Sequence, residues 1–283
     1  MISTRIRGGL GNQLFQYCAG RALALRHGVD LSLDLRDYDG PNAFSVGLDH
    51  FNVQTVLVER LPVGREDGVL KALGKIVKGG ALHTYREASL GYDVGFETLP
   101  DETHLKGYWQ SERYFLDYEA QIRSDLQIIA IPSQQNVNAQ AEIGAANAVS
   151  LHIRRGDYVS NAKFNAAYGT CDLDYYARAA AFVAERVGDP VIYAFSDDPA
   201  WVAENLKLPF EMRFVDHNGG STAHEDLRLM ATCKHHIIAN SSFSWWGAWL
   251  NPSKDKVVAA PTQWFADPAK SNPDILPQSW HAV

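Results

Sequence analysis

Long apolar runs and an even set of cysteines are missing from this sequence of 283 residues. It has no stretch of 18 consecutive apolar residues, and its first residues have no apolar signal core. We therefore expect neither a membrane-spanning helix nor a secretion signal. The three cysteines, Cys18, Cys171 and Cys233, are odd in number and far apart, which is typical of reduced thiols. These features favour a cytoplasmic protein with at most a loose association with membranes.

The sequence also lacks a basic stripe. Its formal net charge is −7, and acidic and basic residues are mixed along the chain, so general binding of nucleic acid is not indicated. Hydrophobic residues make up 46% and charged residues 21%, which is the usual balance of a globular protein. An anionic ligand would therefore have to be held by local positive charge.

Apolar strands alternate with amphipathic helices along most of the chain, which predicts α/β structure with parallel sheets. The first unit runs from a strand at residues 2–7 through a glycine turn to a helix at 12–27. Between residues 41 and 107 the pattern weakens and predicts loops, with a helix near 69–78. A polar, alanine-rich stretch precedes a clear second half. We therefore predict domains at 1–145 and 146–283, with a C-terminal tail that can pack back on the first domain.

Polar residues that directly follow predicted strands are candidate ligand-binding residues, because doubly wound sheets bind ligands at the carboxyl ends of their strands. Residues 152–157 read His-Ile-Arg-Arg-Gly-Asp after an apolar strand. Two adjacent arginines cannot both enter an apolar core, and the planar guanidinium group suits a diphosphate. A surface ion pair between Arg155 and Asp157 explains the same pattern equally well.

Three further clusters meet this criterion. Residues 8–13 (Gly-Gly-Leu-Gly-Asn-Gln) let a ligand approach the backbone at a helix start, although they match no standard nucleotide motif and a tight turn explains them. Residues 240–244 (Asn-Ser-Ser-Phe-Ser) offer hydroxyl and N–H groups to phosphate, with a serine helix cap as the alternative. Residues 224–226 (His-Glu-Asp) offer a carboxylate that can accept hydrogen bonds from a guanine edge, with acidity at a helix start that complements the dipole as the alternative.

We expect no metal site. Residues 37–39 and 172–174 both spell Asp-x-Asp, a pattern that can hold Mg²⁺ or Mn²⁺ on a diphosphate. The first lies in a loop-like stretch, and helix capping explains the second. His235 and His236 are adjacent and have no third ligand at a suitable spacing.

The blocks at residues 9–17, 152–158 and 240–246, taken in this order, resemble the motifs of the α-1,2-fucosyltransferase family, and most of all its soluble bacterial members. This resemblance implies a GT-B-like fold, with two Rossmann-type domains whose parallel sheets face each other across a cleft. It implies an inverting, metal-independent transfer of L-fucose from GDP-β-L-fucose to the 2-hydroxyl of a terminal galactose. The partners would be GDP-fucose and a galactose-terminated oligosaccharide, with no cofactor.

The resemblance also assigns roles to residues. Arg154 would stabilise the charge on the departing GDP, with His152 and Arg155 beside it, and Asn12 would face the reacting sugar from the other domain. Asp157 is a candidate general base, but it can equally orient Arg155, and a water-assisted mechanism stays open. The remaining candidates for substrate binding are Gly9, Gly11, Gln13, Asp226, Ser241, Ser242 and Phe243.

Two other functions stay open from the sequence. The first is a different GDP-sugar transferase, with another linkage or donor sugar. The second is a non-catalytic protein that binds glycans or nucleotides. It would use a stacking surface formed by Trp245, Trp246, Trp249 and Trp264. The helical spacing of the first three of these tryptophans is, however, typical of a buried core.

Overall fold

The computed structural model describes residues 1–38, 45–56 and 82–283. The chain divides into two compact units, Met1–Gln127 and Ile128–Val283, and each contains its own sheet of parallel strands. The helix predicted near residues 69–78 lies outside the described part of the chain. Within the described part, no helix is both long and apolar enough to cross a membrane.

The first unit is built on a four-stranded sheet that one long helix covers. Its strands are β1 (Ile2–Arg5), β2 (Leu31–Asp34), β3 (His83–Arg86) and β4 (Thr103–Lys106), in the spatial order β2-β1-β4-β3. Helix α1 (Leu10–His27) connects β1 to β2, and α2 (Glu119–Asp125) follows near the end of the unit. Gly28 ends α1 with a φ of 64°, a left-handed conformation that favours glycine.

Strands β3 and β4 occupy a stretch that the sequence pattern predicts as loops, and for these residues that prediction is wrong. Each strand has four residues, and β4 reads Thr-His-Leu-Lys, with Leu105 as its one apolar residue. His104 is fully buried and its Nδ1 lies 3.1 Å from Ser3 Oγ on β1. A buried strand of polar residues carries no apolar pattern that would reveal it.

The second unit has a six-stranded parallel sheet in the order β10-β9-β8-β5-β6-β7. Strand β5 is buried along its whole length and forms the centre of the sheet. In chain order the elements are α3 (Gln134–Ala145), β5 (Ala148–Ile153), α4 (Gly156–Ser160), α5 (Ala162–Tyr168), α6 (Leu173–Val187), β6 (Val191–Ser196), α7 (Pro199–Asn205), β7 (Glu211–Val215), α8 (Ala223–Thr232), β8 (His235–Ile237), α9 (Ser242–Leu250), β9 (Val258–Ala260) and β10 (His281–Ala282).

Helix α3 lies in the second unit, although the boundary predicted after residue 145 assigns it to the first domain. Its Ile143 is buried, and Gln140 donates a hydrogen bond to Thr232 at the end of α8. The C-terminal tail also belongs to the second unit, because β10 pairs with β9 and the N–H of Val283 donates to the carbonyl of Ala260. Little of α3 is buried, and its sequence is therefore polar. This polar composition is why the sequence predicts a linker here.

Each sheet has a topological switch point, where a strand has its next strand in the chain on one side and a much later strand on the other. In the second sheet β5 lies between β6 and β8, and in the first sheet β1 lies between β2 and β4. Open α/β sheets bind ligands at such switch points, beyond the carboxyl ends of the strands. The segments after β5 and β8, and after β1 and β4, are therefore the places for a functional site.

Candidate functional site

Two arginines follow β5, and both are bound to carboxylates that follow β6. Arg154 Nη1 lies 2.7 Å from Asp197 Oδ2, and the backbone N–H of Arg155 donates to Asp197 Oδ1. Arg155 Nε donates to Asp198 Oδ2 at 3.1 Å, and its guanidinium lies 3.5 Å from the centre of the Trp201 ring. We call Arg154, Arg155, Asp197 and Asp198 the arginine cluster. Its geometry commits Arg155 to neighbouring side chains, while Arg154 keeps 28% of its side chain exposed.

Asp197 is a residue of the site that the sequence analysis missed. Its carboxylate holds both the side chain of Arg154 and the backbone of Arg155. A Cβ at Gly156 would overlap Asp197 Oδ2, so this close approach needs glycine. The sequence signal for it is Ser-Asp-Asp-Pro directly after an apolar strand, a pattern that helix capping by Asp198 alone also explains. Asp198 does cap α7, accepting from the N–H of Trp201.

The side chain of Asp157 lies outside the described part of the structure, although its backbone belongs to α4. Its role as a base and its ion pair with Arg155 therefore both stay predictions. The described partner of the Arg155 side chain is Asp198.

His152 is buried near the end of β5, and its ring centre is 5.6 Å from that of Phe243 in the first turn of α9. Burial lowers the pKa of His152 to about 4, an effect that Asp197 opposes and Arg154 reinforces. The imidazole is therefore neutral near pH 7. Its Nδ1 is buried without a hydrogen-bond partner among the described residues. The contact between the His152 and Phe243 rings places the start of α9 beside the end of β5.

The turn before α9 presents N–H groups rather than a serine side-chain cap. Ser241 is the N-cap residue, yet its hydroxyl makes no capping hydrogen bond. Ser244 instead accepts from the N–H of Ala239, which folds the turn back on itself. Ser242 and Phe243 are half-buried in the first helical turn. The first N–H groups of a helix have no intrahelical partner, and together with the helix dipole they favour an anion.

Asp226 lies in the first turn of α8, in a separate polar cluster beyond the end of β7. Asn218 Nδ2 donates to Asp226 Oδ1 at 2.8 Å, and Asn218 also exchanges hydrogen bonds with Asn136. Burial raises the pKa of Asp226 to about 6, the Asn218 hydrogen bond opposes this shift, and Glu225 reinforces it. Within the described residues, no hydrogen bond or ion pair joins Asp226 to the arginine cluster.

The glycine turn of the first unit differs in detail from the prediction. Gly8 has the positive φ, at 77°, whereas Gly9 has φ −72° and precedes α1. Gly11 is buried inside α1. A Cβ at Gly9 would meet no atom within 4 Å, so there is open space beside the turn.

Gln13 and Asn12 have different surroundings. Gln13 Nε2 donates to the carbonyls of Gly8 and Ser45, and its Oε1 accepts from the N–H of Gly47. These contacts hold the glycine turn against the neighbouring segment, so binding of substrate by Gln13 stays a prediction. Asn12 is half-buried, and its Oδ1 accepts a 2.8 Å hydrogen bond from Gln110.

The prediction that four tryptophans form an exposed stacking surface is wrong. All four of its residues are buried, with no more than 7% of any of them exposed. Trp245 Nε1 donates to the carbonyl of Ile275 at 2.7 Å, which is a core contact. The alternative of a glycan-binding protein therefore loses the surface on which it depended.

The two Asp-x-Asp sequences have structural partners. Asp37 pairs with Arg5, and Asp39 lies outside the described residues. Asp172 caps α6 by accepting from the N–H of Tyr175 at 2.7 Å, and Asp174 is exposed in the same turn. No group of three or more metal-type ligands occurs in residues 1–38, 45–56 and 82–283.

Two units, each with its own parallel sheet, agree with the GT-B-like fold that the resemblance predicts. The family model for glycosyl transferase family 11 matches residues 82–283. The chain belongs to this family, which confirms the resemblance drawn from the three sequence blocks.

Relatives match nearly the whole chain. An α-1,2-colitosyltransferase of Escherichia coli is 34% identical over 99% of this chain and 98% of its own length. An O-antigen biosynthesis glycosyltransferase, WbnK, of the same organism is 30% identical over 97% and 98%. The galactoside 2-α-L-fucosyltransferase Sec1 of Mus musculus is 24% identical over 93% of this chain and 68% of its own. A glycosyltransferase activity agrees with all three.

A solved structure supports the fold. The Arabidopsis thaliana FUT1 mutant R284K, in complex with GDP, superposes with a TM-score of 0.55 and 12% identity. The match covers 98% of this chain and 74% of that one.

Proposed function

We propose that this protein transfers L-fucose from GDP-β-L-fucose to the 2-hydroxyl of a terminal galactose, with inversion at the sugar carbon. The observation that carries this proposal is the position of Arg154, which Asp197 holds at the carboxyl end of β5. The N-terminus of α9 is brought beside the same strand end through the contact of His152 with Phe243. A guanidinium and a helix N-terminus together suit a diphosphate. The name of the mouse relative supports the choice of sugar and linkage.

The chemistry requires charge stabilisation rather than a covalent intermediate. Breaking the C1–O bond leaves a sugar with oxocarbenium character and a GDP that gains negative charge. A held arginine meets that charge as it develops, without reorganisation. Because the donor is β-linked and the proposed product is α-linked, a single displacement is sufficient. Asp157 stays our candidate for the base that receives the proton of the acceptor hydroxyl.

Metal independence and a cytoplasmic location are part of this proposal. Arg154 supplies a positive charge that a divalent ion provides in other transferases. Asp172 is occupied as a helix cap, and Asp37 is paired with Arg5. The three cysteines are free, which agrees with a reducing compartment.

Replacing Arg154 tests the role of the charge. We expect Arg154→Ala to lower kcat by about 10²–10³-fold, the usual loss for one preorganised donor, with unchanged circular dichroism. Arg154→Lys should recover only part of the rate, because lysine lacks the planar fork. Arg186→Ala on the exposed side of α6 is the matched control and should be fully active.

Removing divalent metal tests the second part of the proposal. Full activity in excess EDTA is expected, whereas loss in EDTA with recovery in Mn²⁺ would contradict metal independence.

GDP-colitose is a second candidate donor, because an α-1,2-colitosyltransferase is 34% identical to this chain. Colitose is fucose without its 3-hydroxyl, so the same diphosphate site would accept either nucleotide sugar. We expect a higher kcat/KM with GDP-fucose when both donors are tested against lactose and N-acetyllactosamine. The linkage should be read from the product by NMR. A clear preference for GDP-colitose would replace fucose by colitose in the proposal, and turnover with neither donor would refute it.

A further inference from the structure

Gln110 follows β4 and meets Asn12, which follows β1, at the switch point of the first sheet. Gln110 Nε2 donates to Asn12 Oδ1 at 2.8 Å. We infer that Gln110 is a positioning residue that orients the Asn12 carboxamide, so that Asn12 Nδ2 donates a hydrogen bond to an oxygen of a sugar substrate. The inference rests on the proposed glycosyl transfer and names a residue that supports it from the first unit.

The surroundings of Asn12 leave room for a ligand beside its amide nitrogen, Nδ2. A Cβ at Gly8 would lie 2.9 Å from Asn12 Nδ2, so the amide nitrogen stands in space that only glycine leaves open. Within the described residues, Asn12 Nδ2 makes no hydrogen bond. Because Gln110 supplies an N–H to Oδ1, a flipped amide would place two donors against each other. The orientation of Asn12 is therefore set by Gln110.

The loop that carries Gln110 is held in a conformation that costs energy. Trp109 has φ 56°, a left-handed conformation that is rare for a bulky aromatic residue. Glu87 accepts hydrogen bonds from the N–H groups of Tyr108 and Trp109 at 2.7 and 2.8 Å. The indole is fully buried, with its centre 5.5 Å from that of Phe96. Such strain persists where the surroundings over-determine the conformation, and it is concentrated at functional sites.

The chemistry of an amide limits what Asn12 does. A carboxamide does not take up a proton near neutral pH, so Asn12 orients or polarises a sugar oxygen and does not act as the base. Gln110 acts through this side chain. A change at Gln110 should therefore alter turnover and the KM for the acceptor, while the affinity for GDP stays unchanged.

Gln110→Glu tests this role with almost the same shape. The carboxylate keeps the size of the side chain but faces Asn12 Oδ1 without a donor. We expect kcat/KM for the acceptor to fall by about tenfold or more, as for loss of one hydrogen bond to a reacting group. Calorimetry with GDP should give an unchanged Kd. Gln134→Glu is the matched control, because Gln134 makes the same amide contact with Asn138 on the exposed side of α3.

A double-mutant cycle separates positioning from a merely structural role. If Gln110 acts through Asn12, the variant that combines Asn12→Ala and Gln110→Glu should be no slower than Asn12→Ala alone. Additive losses, or a Gln110→Glu enzyme with wild-type kinetics, would overturn the inference and leave the proposed function intact. Should Gln110→Glu not fold, Gln110→Met removes the donor without adding charge and must show the same loss. A wild-type protein that transfers neither fucose nor colitose would overturn the proposed function, and this inference with it.

Discussion

Among single residues, Asp226 has a charge that changes close to neutral pH. Burial raises its pKa to about 6, above the ordinary value of about 3.9. Its raised pKa stabilises the folded state at low pH, and this contribution is lost as the pH rises through about 6. The guanine recognition predicted for Asp226 would work in the opposite direction, since only the ionised carboxylate accepts from both N–H groups of the base edge.

We therefore expect the Kd for GDP-fucose to rise as the pH falls below about 6, approaching tenfold per pH unit well below the pKa. GDP-fucose is the suitable probe because its diphosphate is esterified at both ends and has no phosphate group that titrates in this range. Asp226→Asn should bind weakly at every pH in calorimetry between pH 5 and 8. Asp174→Asn, at an exposed position on α6, should behave as wild type. A wild-type Kd that is flat across this range would contradict the role of Asp226.

The candidate site residues that the sequence predicts share one property, which is that their own chemistry reveals them. Arg154 and Asp226 are polar side chains directly after strands or at helix starts, and the sequence shows this. Asp197 and Gln110 were missed because their importance lies in a partner. Gln110 is 98 residues from Asn12 along the chain, and no local pattern predicts that contact.

Among the elements, the connection between β8 and α9 depends on Asn240. Its Nδ2 donates to the carbonyls of Tyr168, Gly169 and Trp264, at 2.9, 3.3 and 3.2 Å. Its Oδ1 accepts from Cys171 Sγ. Asn240 is 2% exposed, so this one buried amide joins the end of α5 and the segment after β9 to the turn before α9 (residues 239–242), which we call the serine turn.

Asn240→Ala should lower the free energy of unfolding by about 2–4 kcal/mol, because it removes a buried amide that donates to three carbonyls. Urea unfolding followed by circular dichroism measures this change. Asn205→Ala is the control, since Asn205 donates to a single carbonyl on the exposed side of α7. A loss below about 1 kcal/mol for Asn240→Ala would show that water replaces the amide at these carbonyls.

The strands show which elements a sequence reveals. Strands β5 and β6 have six residues each and are largely buried, so an apolar run predicts them correctly. Strands β3 and β4 have four residues and are mostly polar, and they were missed. Short polar strands take their place from pairing with neighbours, which is a property of the assembled sheet.

For the whole molecule, the fold class followed from the sequence because alternation of strands and helices has few solutions other than parallel α/β sheets. The limits of the units did not follow as well, because α3 is polar along most of its length yet belongs to the second unit. We propose that the acceptor is recognised by surfaces of the first unit, which distant segments create together. This is why the linkage and the sugar acceptor stay within the proposal.

The tryptophans of α9 give the protein a spectroscopic property of its own. Four of the seven tryptophans form one buried group, in which the ring centre of Trp245 lies 4.8 Å from that of Trp246 and 5.3 Å from that of Trp280. The helix that carries three of them begins at the serine turn proposed to hold phosphate. Three of the seven indoles therefore lie within a few turns of that site. We therefore expect GDP binding at this turn to change the emission of the protein's own indoles, without any added label.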